Sequence, residues 1–337
     1  MKKTWRWITI VAGTLVLLAL AFVSFVIWQW QERPDVADLG WPVATSTSES
    51  AERVTVTWLG ITTLLFDDGE TQILVDGTFS RPGLFDILSQ RRIYSDAATI
   101  NAALAEFRIN RLAAIVPVHS HFDHAMDLGF VANRTQAVVL GSESTANIAR
   151  GARVPVSQYQ ILADGETRQF GAFTIKLIES RHAPIGVGGA PPFPGTIDDP
   201  LVQPERIRHW REGGTWSVLI GHPKGTTLVQ GSAGFVEGGL AGETADVVML
   251  GIAGLASLGP KYAGEYWRQT VVSTGATRVF PVHYEDFTQP FGEVLLFPEI
   301  VDNLPKTARW LDELAADRRH PVSISRLPFG QAIAIYP

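Results

Sequence analysis

The sequence predicts an α/β domain preceded by one N-terminal transmembrane helix. Three observations support this fold class. Residues 7–30 form an uncharged apolar stretch, short strand-like blocks alternate with helical patterns from residue 53 onward, and a cluster of histidines directly follows one of those strands. The 337 residues are 46% hydrophobic and 18% charged, a composition that excludes wholesale disorder and is sufficient for a large core.

The N-terminal apolar stretch has the length and the flanking charges of a membrane anchor. Trp7 to Trp30 contain no charged residue, and as a helix they would extend roughly 36 Å, enough to cross a hydrocarbon core about 30 Å thick. Lys2, Lys3 and Arg6 precede the stretch, whereas acidic residues follow it. The positive-inside rule therefore predicts that residues 1–6 are cytoplasmic and that the rest of the chain is extracytoplasmic, either periplasmic or extracellular.

A cleaved signal peptide is the alternative interpretation of this stretch. Ala19-Leu20-Ala21 offers a small-residue cleavage site after a short apolar run. The apolar sequence continues well past Ala21, however, which a cleaved signal does not require. The length of the span therefore favours a retained signal-anchor over cleavage.

Residues 31–52 mix proline, serine, threonine and acidic residues without periodicity, and they are typical of a linker. The domain then occupies residues 53–337 and opens as a β-meander with a turn at Asp67-Asp68-Gly69-Glu70. Ser95 and Asp96 predict the N-cap of a helix that runs to about Phe107. The patterns predict strands at 54–59, 62–66, 72–75, 113–118, 172–178, 216–220, 226–230, 247–250, 278–282, 322–327 and 331–335, and a last helix at 298–317.

One long segment, residues 183–214, interrupts this alternation of strands and helices. It contains six prolines and little periodicity. A segment of this length without regular structure inside a domain is typical of a functional loop. We therefore interpret residues 183–214 as an active-site loop or lid.

Charge and cysteine content exclude several classes of function. The net charge is −6, and residues 1–33 carry +3 (four basic residues against Glu32), so the remainder carries −9. An acidic domain of this kind argues against nucleic acid as a partner. The chain has no cysteine, which excludes disulfides, catalytic thiols, cysteine-zinc sites and iron–sulfur clusters. Any metal ion must be held by histidine and carboxylate.

The strongest motif is His119-Ser120-His121-Phe122-Asp123-His124, directly after the apolar strand at 113–118. Strand alternation places His119 and His121 on the same side, and a tight turn can bring Asp123 and His124 round to face them. Imidazole and carboxylate groups are typical ligands of zinc and similar divalent ions. The motif therefore predicts a metal site at the end of this strand.

This H-x-H-x-D-H motif resembles the signature of the metallo-β-lactamase-fold hydrolases, and the resemblance extends from Val54 to Pro337. The family's later positions match Asp76 after the strand at 72–75, His182 after the strand at 172–178, and His283 after the strand at 278–282. The resemblance implies a four-layer αββα sandwich with a dinuclear centre of one or two Zn²⁺ ions, or another divalent ion such as Mn²⁺ or Fe²⁺. It implies two ligand sets: His119, His121 and His182 at one metal, and Asp123, His124 and His283 at the other.

Asp76 and Ser232 have less direct roles. Asp76 either belongs to an ordinary Asp-Gly turn or orients a ligand histidine. Ser232, in Gly231-Ser232-Ala233-Gly234, stands where the family has an aspartate that bridges the two metals. A neutral hydroxyl is a poor bridge between two dications, so the second metal is expected to bind less tightly. Glu237 is a weaker candidate for a substitute carboxylate.

The ligand set implies hydrolysis by metal-activated water, because a metal held by three histidines lowers the pKa of its water toward about 7. Asp123 is expected to orient that water. His222, in Gly221-His222-Pro223-Lys224, either protonates the leaving group or is simply solvated. The loop at 183–214 falls between two ligand positions and is expected to shape the substrate pocket.

The substrate is predicted only as a class. The opening hairpin and Ile73–Gly77 resemble the branch of the family that contains N-acyl-phosphatidylethanolamine phospholipase D and ascorbate-lactonase-like proteins. A small-molecule or lipid-like phosphodiester, ester or lactone is therefore expected, and β-lactamase activity is disfavoured. The alternative function is a non-catalytic binding or assembly protein with an eroded metal centre, which Ser232 alone supports. A nuclease of RNA would conflict with the acidic domain.

Overall fold

Two mixed β-sheets lie between layers of helices in the computed structural model, which describes residues 2–45 and 53–336. The strands of these residues are β1 Thr55–Trp58, β2 Leu64–Asp67, β3 Gln72–Val75, β4 Arg92–Ile93, β5 Leu112–Val116, β6 Val138–Gly141, β7 Tyr159–Ile161, β8 Thr167–Phe170, β9 Phe173–Ser180, β10 Glu205–Arg206, β11 Thr215–His222, β12 Gly225–Gln230, β13 Val247–Gly251, β14 Arg278–Val282, β15 Ser323–Ile324 and β16 Ala332–Ala334. The helices are α1 Lys2–Gln31, α2 Leu84–Leu88, α3 Ala97–Glu106, α4 Phe122–Ala125, α5 Leu128–Thr135, α6 Glu143–Gly151, α7 Leu255–Leu258, α8 Pro260–Trp267 and α9 Leu304–Ala315.

The first sheet has the order β16-β1-β2-β3-β5-β6-β7 and the second has the order β15-β14-β13-β12-β11-β9-β8. The predicted meander forms the start of the first sheet, where β1, β2 and β3 are antiparallel, whereas β3, β5, β6 and β7 are parallel. In the second sheet β12, β13, β14 and β15 are parallel, and β11 runs antiparallel between β9 and β12. The strands β9, β12, β13 and β14 therefore end at the same edge.

The pleat of the first sheet divides its side chains between two buried clusters. Leu64 and Phe66 of β2 face the second sheet, whereas Leu65 between them faces the helical layer of α3, α5 and α6. Successive side chains of a strand point to opposite faces, so a sheet covered on both sides needs apolar residues at both. Each fully buried aliphatic side chain contributes about 1.5–3 kcal/mol. The predicted αββα sandwich is confirmed by this layering, with α8 and α9 completing the cluster on the second sheet.

The predicted helix after Ser95 is α3. The Asp96 carboxylate accepts a hydrogen bond from the backbone N–H of Ala98 at 3.0 Å, which satisfies a donor of the first turn. Ile100, Ala103 and Leu104, at helical spacing, are the buried face of the helix.

The N-terminal helix α1 is long and apolar, and its side chains lie outside the core. Leu17, near its middle, is 68% exposed. Helix α1 is the one helix of the described residues that is long and apolar enough to cross a membrane, over Thr4–Gln31. It is therefore a candidate transmembrane helix, by length and composition.

The segment after α1, through Thr45, packs against the domain. Arg33 donates to the Asp286 carboxylate at 2.6 Å and to the carbonyl of Leu296 at 3.0 Å. Leu39 and Trp41 are buried, and the Trp41 indole N–H donates to Asp312 at 2.8 Å. The sequence predicts a linker over 31–52. Its first part is instead bound to the domain surface by these contacts, and 46–52 lie outside the described residues.

Candidate metal centre

The predicted metal ligands meet because they follow strands that end at one edge of the sandwich. His119 follows β5, His182 follows β9 and His283 follows β14. In the second sheet β9 and β14 run in the same direction, and in the first sheet β5 runs parallel to β3, which Asp76 follows. The carboxyl ends of parallel strands form the crevice in which α/β proteins place their sites.

His119, His121 and His182 form the first group of three. Each offers one ring nitrogen, and these nitrogens lie within 4.8 Å of one another. Nε2 of His119 is 2.9 Å from Nδ1 of His121. His182 donates from Nδ1 to the carbonyl of Ala183 at 2.8 Å, which leaves the lone pair of Nε2 free to bind a ligand.

Asp123, His124 and His283 form the second group, also with donor atoms within 4.8 Å of one another. Oδ2 of Asp123 is 3.5 Å from Nε2 of His124 and 3.4 Å from Nε2 of His283. Asp123 and His124 lie on the single-turn helix α4, for which His121 is the N-cap. This turn brings the second half of the motif round to face the first.

Asp76 holds the ring of His124 in place. Its Oδ2 is 2.7 Å from Nδ1 of His124, and its Oδ1 accepts from the backbone N–H of Val118 at 2.9 Å. Asp76 is completely buried and adopts a left-handed backbone with φ +58°. With the His124 proton on Nδ1, Nε2 presents its lone pair to the second group.

His283 also has a left-handed backbone, with φ +54°, and its N–H donates to the carbonyl of Ile61 at 2.8 Å. For a residue with a side chain, such a conformation costs of the order of 1 kcal/mol or more. Strain of this kind persists where the surroundings fix it, and it clusters at functional sites. The strained positions Asp76 and His283 both lie directly after strands of the site edge.

Burial keeps the three histidines of the first group neutral. It lowers the pKa of His121 to about 3 and that of His182 to about 4, and it lowers the pKa of His119 well below its usual value, with the neighbouring histidines adding to the effect. Neutral imidazole is the form that binds a metal. The three residues therefore present lone pairs, not protons, at neutral pH.

The second group has the opposite electrostatics. Burial alone would raise the pKa of Asp123, but His124 and His283 hold it below its usual range. Burial alone would also lower the pKa of His124, but Asp76 and Asp123 raise it. A carboxylate between two imidazoles supplies the negative charge that a dication at this position needs.

These residues fit a divalent metal ion. His119 Nε2, His121 Nδ1 and His283 Nε2 face the other candidate ligands, while the second nitrogen of each of these rings is buried and has no hydrogen-bond partner among the described residues. The pair of ring nitrogens at 2.9 Å and the two sets of three nitrogen or oxygen donors match the ligands of zinc and of similar first-row ions.

Ser232 lines the cavity beside both groups of candidate ligands. It is buried, its hydroxyl has no partner among the described residues, and it lines the same cavity as Asp123, His182 and His283. Glu237 lines a separate cavity with Arg181 and His182. The two groups of candidate metal ligands among the described residues do not include it.

A cavity of about 320 Å³ opens beside the two groups of ligands. Its walls are mostly apolar, and they include Leu84, Ile87, Phe122, Phe193, Phe287 and Val301. The first part of the loop at 183–214 contributes Ile185, Pro192 and Phe193 to this cavity. Farther along that loop, Leu201, Ile207 and Trp210 are buried in the core cluster of the helical layer, which ties the loop down.

His222, predicted either to protonate a leaving group or to be solvated, is not brought together with the candidate metal ligands. It ends β11 at the turn before β12, whereas Ser232 follows the other end of β12. Six residues of strand separate the two ends, which corresponds to about 20 Å. His222 is not simply solvated either, because it packs on Phe173 and its Nε2 is 3.6 Å from the Asp68 carboxylate.

The sequence did not indicate two further acidic residues of the site. Asp302 lines the cavity, and its Oδ2 accepts from the N–H of Gly254 at 2.7 Å, while Oδ1 is buried without a partner among the described residues. Asp127 is completely buried and accepts from the N–H groups of Phe79 and Ser80 at 2.8 and 2.6 Å. These bonds connect the loop after Asp76 to the segment that follows the motif. Asp127 lies three residues after His124, and this proximity is the sequence signal that could have identified it.

Comparisons with known proteins agree with this fold. The possible metal-dependent hydrolase of Veillonella parvula is 14% identical, with a TM-score of 0.50, and the match covers 84% of this chain and 100% of that one. The isothiocyanate hydrolase from Delia radicum gut bacteria is also 14% identical, with a TM-score of 0.50 and coverages of 84% and 99%. CmlA, a diiron β-hydroxylase from Streptomyces venezuelae, is 14% identical, with a TM-score of 0.51 and coverages of 86% and 55%. At these identities the likeness shows the fold alone.

No curated protein matches the chain. The resemblance to the branch of N-acyl-phosphatidylethanolamine phospholipase D and ascorbate-lactonase-like proteins stays a prediction. The sequence model of the metallo-beta-lactamase superfamily matches residues 56–277, from β1 to the residue before β14. The chain therefore belongs to the metallo-β-lactamase superfamily.

Proposed function

We propose that this chain is a membrane-anchored, metal-dependent hydrolase of apolar esters or lactones. The observation that carries the proposal is the convergence of two groups of three metal-ligating side chains at one end of a mostly apolar cavity. The superfamily and its metal-ligand pattern support hydrolysis as the reaction class. The substrate class is argued from the cavity.

His119, His121 and His182 would hold one zinc ion, and Asp123, His124 and His283 the other, with manganese or iron as the alternatives. A bound divalent ion would supply Lewis-acid activation of water and of the substrate's carbonyl or phosphoryl oxygen. Asp123 is ionised at neutral pH, because the neighbouring imidazoles hold its pKa low. Its carboxylate would therefore accept a hydrogen bond from a water molecule in the site and orient it. Asp76, whose Oδ2 is 2.7 Å from Nδ1 of His124, would keep the proton of that ring on Nδ1.

The cavity favours a neutral substrate over an anionic one. The described residues that line it include no lysine or arginine, and Asp302 adds a carboxyl group to the wall. A phosphodiester anion would have to be neutralised by the metal ions alone, and Asp302 would disfavour it when ionised. A neutral ester or lactone with an apolar chain meets the phenylalanine walls at no electrostatic cost.

Helix α1 would hold the domain at the membrane. Its length and its apolar, unburied side chains support a span. The basic residues at its N-terminal end, Lys2, Lys3 and Arg6, support an N-terminus in the cytoplasm. The hydrolase domain would then be extracytoplasmic, close to lipid-like substrates.

The test is hydrolysis by the purified full chain, stripped of metal and then reloaded with Zn²⁺, against a matched panel. The panel contains a long-chain ester, a lactone, a thioester and a phosphodiester of equal chain length. We expect metal-dependent hydrolysis of the ester or lactone, a loss of at least about 100-fold in His121→Ala, and little change in His209→Ala. His209 is the matched control because it is 45% exposed and lies outside both groups of candidate ligands.

Metal binding without hydrolysis of any panel member would favour the non-catalytic alternative. Equal loss of metal in His121→Ala and His209→Ala would show that the site is misassigned. Preference for the phosphodiester would leave the metal centre standing and contradict the argument from the cavity.

A further inference from the structure

Exposed apolar side chains occur in the segments that form the wall of the substrate cavity. They come from three separate segments, each of which also contributes apolar residues to the wall of the cavity: Leu84 and Ile87 in α2, Ile185 in the loop at 183–214, and Val301 before α9. We call this set the rim, and it consists of Phe85, Leu88, Ile185, Val187, Ile300 and Val301.

Three members of the rim are largely exposed to solvent. Phe85 is 71% exposed, Leu88 73% and Val187 98%. Single apolar residues on a surface are ordinary, but a group drawn from the segments that form one cavity indicates an interaction site. The rim cannot be explained as the wall of the cavity, because these three most exposed members do not line it.

One segment of the rim, that of Ile300 and Val301, lies next to the end of the candidate transmembrane helix. Trp28, Gln31 and Arg33 line a second cavity together with Glu299 and Arg309, so the end of α1 borders the segment that carries Ile300 and Val301. Arg33 also pairs with Asp286, three residues after His283. The C-terminal end of α1 therefore lies beside a segment that lines the substrate cavity.

We propose that the rim inserts into the surface of the bilayer that α1 enters, so that the cavity opens toward the lipid. Apolar side chains at this depth bury about 5–10 Å into the boundary between headgroups and acyl chains. The domain after residue 33 carries −9, so attraction to anionic lipid does not supply this contact. The rim would therefore bind neutral phosphatidylcholine, and an amphiphilic substrate would enter the cavity without crossing water.

This inference requires the proposed placement of α1 in a bilayer, but it does not require hydrolysis. The chain has no cysteine, so each single-cysteine variant carries a label at one position only. The full chain, one copy per phosphatidylcholine nanodisc, would be labelled with a small fluorophore in Leu88→Cys, Val187→Cys and Ile300→Cys. Lipids that carry a nitroxide at shallow or deep acyl positions would act as the quencher.

Two further variants complete the experiment. Val156→Cys is the matched control, because Val156 is an apolar residue with 78% exposure that does not line the substrate cavity. Leu17→Cys reports on the span itself. We expect the shallow nitroxide to quench the rim labels about twofold or more relative to the Val156 label, and the deep nitroxide to quench the Leu17 label.

Rim labels quenched no more than the Val156 label, with Leu17 quenched, would overturn the rim contact and leave the anchor intact. An unquenched Leu17 label would overturn both. If the rim labels became shielded from solvent only in discs that hold two copies of the chain, the rim would be a contact between two chains. That result would overturn the lipid contact.

Discussion

Asp302→Asn should stabilise the metal-free chain, and only above about pH 4. Asp302 is 7% exposed, and burial raises its pKa from 3.8 to about 6. The bond from the Gly254 N–H, at 2.7 Å, does not offset this effect. Asparagine can keep that bond through its amide oxygen, while it removes the charge that burial penalises.

The pKa shift gives both the size and the sign of the effect. A rise of about two units at about 1.4 kcal/mol each gives an upper bound of about 3 kcal/mol. Because the folded pKa is the higher one, the unfolded chain binds fewer protons between about pH 4 and pH 6. The wild type therefore loses stability as the pH rises through that window, and the loss persists above it. The Asp302→Asn variant carries no such penalty.

The assay is thermal unfolding of the full chain in detergent with a chelator, followed by circular dichroism from pH 4 to pH 8. The melting temperature of the variant should exceed that of the wild type by up to about 5 °C at pH 8 and by little at pH 4. Asp199→Asn, at an exposed position, is the control and should stay within about 0.5 kcal/mol at every pH. A variant that is less stable than the wild type at pH 8, or a difference independent of pH, would refute the reasoning.

Three other predictions concern the metal centre and the anchor. Ser232→Asp should raise the number of tightly bound metal ions from one per chain toward two, because it adds a negative charge beside both groups. The measurement is elemental analysis after dialysis, and two tightly held ions in the wild type would contradict the argument that Ser232 weakens the second site. Asp76→Asn should weaken zinc binding at least about tenfold in a zinc titration, because a carboxylate that orients His124 is lost; unchanged affinity would show that Asp76 only supports the turn. A reporter that is active only outside the cytoplasm, fused after Pro337, should be active, whereas a soluble species that begins near Phe22 would indicate a cleaved signal.

The ligand residues could be predicted because their information is local. His119 to His124 follow one apolar strand, and His182 and His283 each follow another strand in the order of the family. Strand direction then brings these positions to one edge without any detail of packing. The same reasoning could have excluded His222, since it precedes β12 whereas Ser232 follows it.

The remaining features depend on contacts that sequence spacing does not encode. Arg33 pairs with Asp286, 253 residues later in the chain, so the segment after α1 could not be distinguished from a free linker. Asp302 belongs to no motif, and only the packing of its segment against Gly254 places it in the cavity wall. The cavity itself is made of apolar residues from distant segments, which a sequence presents as ordinary core positions.

Zinc titration of the metal-stripped full chain, followed by calorimetry, tests the central claim most directly. The two groups of ligands predict one tight site, at the three neutral histidines, and one weaker site at Asp123, His124 and His283. His121→Ala should remove the tight site, whereas His209→Ala should leave both. A wild-type chain that binds no zinc, or that binds it equally well in the absence of the His121 imidazole, would contradict the account.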